Sequence, residues 1–200
     1  MQRSQPLVLA PNTMVLTHTA MLVDTMRQET FSRGDQIPLR PNILLQIERG
    51  AVRTLTWTEE GTAVTLGYWG AGDVVGQPLS RLQPYQIECL TSVEITYLPA
   101  PQWCLAIDRI LRNIQQGEEL LCIVRTERIQ NRLLQLLSWL AGKFGRTVEQ
   151  GQLIDLRLTH QEIAEVIGTT RVTVTRMLTR FEAQGIIDRP RRHFILLRHG

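Results

Sequence analysis

The sequence predicts an α+β fold in three consecutive parts: a barrel or sandwich of short strands, a long helix, and a small helical module closed by a hairpin. Three observations carry this. Short runs rich in Val, Ile, Thr and aromatics alternate with glycine turns from about residue 30 to 98. Apolar residues then recur at spacings of three, four and seven from about 101 to 145. Last come two short helical patterns joined by a Gly-containing turn, and two apolar runs around an Arg-Pro-Arg-Arg tip.

The strand region reads NILLQIERG, AVRTLTWTEEG, TAVTLGYWGAGD, YQIECL and SVEITYLP. Val52, Thr54 and Thr56 alternate with Arg53, Leu55 and Trp57, so they occupy opposite faces of one strand. Glu59-Glu60-Gly61 reads as a hairpin turn. Many short strands at this spacing point to a sandwich or barrel. In the helical region one apolar series runs Ile107, Ile110, Leu111, Ile114, Leu121, Val124, and a second runs Leu133, Leu136, Leu137, Leu140. Gly117 weakens the first by about 1 kcal/mol relative to Ala. The first stripe packs on its own barrel, or meets its copy in a dimer. GKFGRT ends the helix, with Lys143 as a cation near its C-terminus.

In LTHQEIAEVIG, Thr159 and Glu162 have the spacing of a capping box, Ile163, Ala164 and Ile167 form the apolar face, and Gly168 stops the helix. Thr169 or Thr170 caps the next helix. On a helical wheel of that second helix, Val174, Met177, Leu178 and Phe181 share the core side. Arg171, Val172, Thr175 and Arg176 share the outward side, with Thr173 on the flank. Arginine forks onto guanine O6 and N7 in a DNA major groove, and a Val or Thr methyl meets a thymine methyl. GIIDRP and RRHFILLR read as strands around a basic tip, where Arg191 and Arg192 would reach phosphate.

Composition sets limits. The chain has 200 residues, 43% hydrophobic and 20% charged, with no apolar run near 18 residues, so no membrane span is expected. MQRSQPLVLAPNT lacks a signal-peptide core. Cys89, Cys104 and Cys122 show no C-x-x-C spacing, which suits reduced thiols in the cytoplasm. Charge is uneven: residues 128–200 carry 12 Lys+Arg against 6 Asp+Glu, whereas residues 1–127 carry 10 against 13. A basic module on a mildly acidic partner suggests a nucleic-acid face, and the two-helix pattern above makes double-stranded DNA the expected partner.

LTHQEIAEVIGTTRVTVTRMLTRFEAQGII resembles the winged helix-turn-helix of the Crp/Fnr family of bacterial transcription regulators. ETFSRGDQI, LLQIERGAVR and GYWGAGDVVG resemble that family's effector-binding jelly-roll barrel, a cyclic-nucleotide-binding-like domain. TTRVTVTRML is most similar to the branch of cyanobacterial global nitrogen regulators. The resemblance implies an effector-sensing barrel at 1–104, a connecting and dimerisation helix at 105–128, and a winged helix-turn-helix at 129–200. It implies base reading by Arg171, Val172 and Arg176, and phosphate contacts from Thr159, Gln161, Thr170 and Thr173. It further implies a homodimer on a palindromic GTA…TAC-type site, with RNA polymerase as a partner. Whether the protein activates or represses stays open.

Cyclic-nucleotide binders of the family carry a Gly-Glu-Leu cassette and a later Arg-Ser or Arg-Thr. Here the stretch is GQPLSRLQPYQIECL: Gln77 replaces the Glu, and no Arg-Ser follows. Val75, Gly76, Gln77, Leu79 and Arg81 are therefore the candidate pocket of an effector other than cyclic AMP. A 2-oxoglutarate-like metabolite, another anion and no ligand at all remain open. No cofactor or metal is expected, and haem would lack ligands because His18 is the only histidine before residue 160. The alternative is a ligand-binding jelly roll or a cupin-like enzyme without DNA function. A cupin needs His and Glu on facing strands, and no His lies between residues 19 and 159.

Overall fold

A computed structural model describes residues 28–190 and 193–197. The expectations for the N-terminal stretch, His18, Arg191 and Arg192 lie outside the described residues.

Seven strands of the described residues build two facing antiparallel sheets: β1 (Gln28–Phe31), β2 (Ile43–Arg49), β3 (Ala51–Trp57), β4 (Ala63–Gly70), β5 (Val74–Val75), β6 (Gln86–Cys89) and β7 (Val93–Pro99). One sheet has the order β1-β7-β2-β5 and the other β4-β3-β6, so this is a jelly-roll sandwich rather than a closed barrel. Alternate residues of each strand point inward. Leu45, Ile47, Val52, Trp69, Ile87, Val93 and Ile95 fill the space between the sheets. The expected turn at Glu59–Gly61 joins β3 to β4, with Gly61 at φ 80°.

β3 differs from an ordinary half-buried strand. Its first five residues are buried on both faces. Val52 belongs to the sandwich interior, whereas Ala51 belongs to the core of the C-terminal half. The outer face of this sheet is covered by the winged helix.

After a 3-10 turn (Ala100–Ala106), α1 runs Ile107–Arg125 and α2 runs Ile129–Phe144. The two apolar series of the helical region thus fall on two helices with different surroundings. Leu133, Leu136, Leu137 and Leu140 are fully buried. In the first series, Ile107, Leu111, Ile114 and Leu121 are at least half exposed; Leu120 and Ile123 are the buried residues of α1. Gly145 does not adopt the left-handed cap of many helix ends: at φ −92° and ψ 156° it opens a strand. The strands β8 (Gly145–Val148) and β9 (Gly151–Ile154) form a hairpin where the sequence pattern reads only a helix stop.

The helices α3 (His160–Ile167) and α4 (Arg171–Ala183) and the strands β10 (Ile187–Asp188) and β11 (Phe194–Leu197) complete the winged helix. Its sheet has the order β10-β11-β9-β8. Leu136, Ile154, Ile163, Ile167, Val174, Leu178 and Phe181 close its core. Ala51, Tyr68 and Leu90 of the sandwich and Leu120 and Ile123 of α1 belong to the same cluster. Gly70 lets the halves approach, since a Cβ there would stand 2.9 Å from the Phe144 ring.

Candidate nucleic-acid interface

Local hydrogen bonding holds the two helices of the candidate site. Thr159 caps α3: its hydroxyl accepts from the Glu162 N–H at 3.1 Å, and the Glu162 carboxylate accepts from the Thr159 N–H. Two of the free donors at the helix start are satisfied this way. Gly168 ends α3 at φ 66° and ψ 52°, a left-handed conformation that a side chain disfavours. Thr170, rather than Thr169, caps α4 by accepting from the Thr173 N–H at 3.2 Å. Arg132 of α2 donates to the Thr126 carbonyl and to the Ile167 carbonyl, placing a cation at the C-terminal end of α3.

With its start and turn held, α4 buries Val174, Leu178 and Phe181 and half-buries Met177. Arg171, Val172, Thr175 and Arg176 lie exposed on the other side, and Val172 is 76% exposed. Among the described residues, neither the Arg171 nor the Arg176 guanidinium has a carboxylate within ion-pair distance. The Thr175 hydroxyl is engaged: it donates to the Arg171 carbonyl at 2.9 Å and lies 2.7 Å from His160 Nδ1. Since the hydroxyl proton goes to the carbonyl, the imidazole donates from Nδ1. The methyl of Thr175 is what remains for a ligand. Burial, then Arg189 and Arg171, hold the His160 imidazole below its ordinary pKa.

Arg189 turns back to pair with Glu182 of α4, whose carboxyl lies below the usual range because of that hydrogen bond. A cleft of about 790 Å³ opens between the α3 start, the α4 start, the hairpin and the loop after β1. Arg33, Arg157, Arg171, Arg189, His160 and His193 line it, and among the described residues Glu182 is its only acid.

The sandwich holds a smaller cavity of about 170 Å³ against α1, lined by Thr54, Leu66, Trp69, Leu79, Ser80, Tyr85, Asn113 and Gly117. Of the five residues expected at an effector pocket only Leu79 lines it. Val75 points into the sandwich core, and the backbone at Gly76 is pressed against the Ile43 carbonyl, where a Cβ would stand at 2.9 Å. Gln77 sits half-buried on a 3-10 turn, and Arg81 is exposed. Sequence spacing could not find Trp69, Tyr85 or Asn113, which come from β4, the loop before β6 and α1. Nothing in the spacing singles out Asn113, one of many polar residues of α1; its amide donates to the Val74 carbonyl at 2.9 Å. Burial pushes the Tyr85 hydroxyl up to about 12.

Two cations of the seam between the halves have partners that the sequence did not show. Arg53 of β3 lies among Glu88, Glu162 and Glu165. Lys143 of α2 lies 2.7 Å from Asp73 and sits over the Trp69 and Trp139 rings at 5.0 and 5.7 Å. Burial draws the Lys143 pKa down and Asp73 partly restores it. Lys143 therefore bridges to the sandwich instead of merely following the dipole of its own helix.

Residues 127–199 match the family model of a Crp-like helix-turn-helix domain. The regulatory protein CysR of Synechococcus elongatus is 39% identical over 193 residues, which is 95% of this chain and 93% of its own. The chain belongs to the Crp/Fnr family of transcription regulators. The global nitrogen regulator of Nostoc sp. is 30% identical over 195 residues, covering 82% of this chain and 87% of its own. A CRP-family transcriptional regulator from Thermus thermophilus has a similar structure, with a TM-score of 0.71 at 25% identity over 85% of this chain and 92% of that one. This Crp/Fnr member is thus a DNA-binding transcription regulator, and its relatives are regulators rather than enzymes. Among the described residues no helix is long and apolar enough to cross a membrane.

Proposed function

We propose that the protein binds a palindromic promoter site as a homodimer in the cytoplasm, where RNA polymerase is its partner. Arg171, Val172 and Arg176 read bases, joined by the Thr175 methyl. Thr159, Gln161, Thr170 and Thr173 meet phosphate, with Arg191 and Arg192 at the hairpin tip. The carrying observation is the outward face of α4, which holds exposed arginines without a carboxylate partner among the described residues, between two fixed caps. The basic cleft beside it supports the same reading, because a polyanion gains from displacing counterions along such a surface.

The dimer reading rests on α1. Ile107, Leu111, Ile114 and Leu121 follow one another at four, three and seven residues and are 50 to 59% exposed. Water is a poor solvent for such a stripe, and a second copy of α1 would cover it along a coiled-coil seam. We take the sandwich to extend to about residue 104, the dimer helix over 105–128, and the winged helix from 129.

Control by an effector other than cyclic AMP fits the sandwich cavity. At about 170 Å³ it is smaller than the roughly 300–1,000 Å³ of ordinary ligand sites, and among the described residues no ionised side chain lines it. A cyclic phosphate finds no cation there, and a 2-oxoglutarate-like dianion fares no better, so a small neutral ligand or none suits it best.

Selection of bound fragments from genomic DNA, with and without cyclic AMP and 2-oxoglutarate, tests the proposal. The expected outcome is an inverted repeat with half-sites about 34 Å apart. Affinity should fall log-linearly with salt and stay unchanged by either small molecule. A direct repeat, salt-independent binding, or tightening by cyclic AMP would overturn it.

A further inference from the structure

One guanidinium on the sandwich stands between the effector cavity and the DNA-facing helix start. Arg53 lies opposite Tyr68 of β4 and Glu88 of β6 in the same sheet. Residue 53 is only 9% exposed. Its Nε donates to the Glu88 carboxylate at 2.9 Å, which fixes the plane of the guanidinium. Nη2 lies 2.8 Å from the same Glu88 oxygen, and the outer edge of the fork faces α3: Nη1 lies 3.4 Å from Glu165 Oε2, and Nη2 lies 3.7 Å from Glu162 Oε1. Each of these α3 glutamates uses its second oxygen on a residue assigned to phosphate. Glu165 Oε1 accepts from the Gln161 amide at 3.2 Å, and Glu162 Oε2 accepts from the Thr159 N–H.

Buried ion pairs contribute little net stability, because desolvation offsets the attraction; fixing one arrangement among several is their best-attested use. Here the arrangement fixed is that of the α3 N-terminus relative to β3. We propose that Arg53 is a positioning residue through which the sandwich sets Thr159 and Gln161 for DNA phosphate. This rests on the assignment of those two residues as phosphate contacts. The next residue of β3, Thr54, points to the other face, lines the sandwich cavity and accepts the Trp69 indole N–H at 3.0 Å. A ligand in that cavity and the grip on α3 therefore act on adjacent residues of one strand.

The test uses the full chain carrying Arg53→Lys, Glu165→Gln or both, with binding to the selected site measured across a salt series and thermal melting in parallel. Lysine keeps the charge but lacks the planar fork. Glutamine at 165 keeps an oxygen for Gln161 and loses only the pairing with Arg53. Each single variant should bind about ten-fold more weakly, and the double variant should be no weaker than the worse single, since both cut one link. The salt slope and the base preference should stay as in the wild type, because no cation that meets phosphate has been removed. Folded Arg53→Lys with wild-type affinity, losses that multiply, or a flattened salt slope would each overturn the proposal. Should Arg53→Lys fail to fold, Glu165→Gln alone decides by the same criteria. Arg176→Ala run alongside separates the two levels: if it leaves base preference intact, the reading of the DNA face has failed rather than the role of Arg53.

Discussion

The arginines of α4 and the cations of the seam are chemically alike and opposite in circumstance. Arg171 and Arg176 are exposed, and among the described residues no carboxylate pairs with them. Arg53 and Lys143 have side chains only 10% and 14% exposed, and across the boundary between the halves Arg53 faces Glu162 and Glu165 while Lys143 pairs with Asp73. A cation left in water without a partner costs the fold little and stays available to a polyanion. A buried cation must be neutralised on the spot, and its removal strands the carboxylates around it. The two regions should therefore respond oppositely to the same kind of substitution: the seam in stability, the reading helix in binding.

The largest effect should come from Lys143→Met. Methionine keeps the apolar stem against Trp69 and Trp139 but leaves the Asp73 carboxylate, 12% exposed, without its cation. Such a change should cost about 3 kcal/mol, read as a shift of the urea midpoint at unchanged slope. Adding Asp73→Asn should recover much of the loss, because the stranded charge is gone. By contrast, Arg176→Met should alter stability by no more than about 0.5 kcal/mol. If Lys143→Met were equally mild, the contrast between the two regions would collapse.

On the binding side, Arg176→Ala should cost about 1–3 kcal/mol per half-site and relax the preference at one guanine, measured by selection on random duplexes. Val172→Glu adds an acceptor to the same exposed face, so it should shift preference toward a C·G pair while lowering overall affinity. An Arg176→Ala protein with wild-type base preferences would move the reading face elsewhere.

What was legible in the sequence follows the same division. The capping box at Thr159, the stop at Gly168 and the two faces of α4 depend on residues within a few positions of one another, so spacing alone placed them. The partners of Arg53 are 35, 109 and 112 residues away, and no local pattern couples them. Alternation showed that Arg53 and Thr54 face opposite ways; it could not show that both faces of β3 are covered. The sandwich cavity was illegible for a related reason. Family spacing pointed to Val75–Arg81, whereas the cavity is assembled by Trp69, Tyr85 and Asn113 brought together by packing. The β8–β9 hairpin was missed because strands of four residues with one or two apolar side chains carry almost no periodic signal.

The smallest effect lies at His160, beside the reading helix, whose neighbours are Thr175 of that helix and the cations Arg171 and Arg189. Burial and those two cations depress its pKa in the folded protein, so the folded state favours the neutral ring. The unfolded chain then takes up the proton first as pH falls. The contribution to stability is complete above the ordinary value of about 6.5 and is lost as pH falls through the lower folded value. DNA reverses the sign, because a phosphate beside the α3 start favours the imidazolium. Between about pH 7 and about pH 5.5, wild type should therefore lose slightly more stability than His160→Gln while gaining more affinity for DNA. Paired urea melts and binding titrations of the two proteins measure both quantities. A histidine that served the fold alone would move the melts and leave the difference in affinity flat across that range.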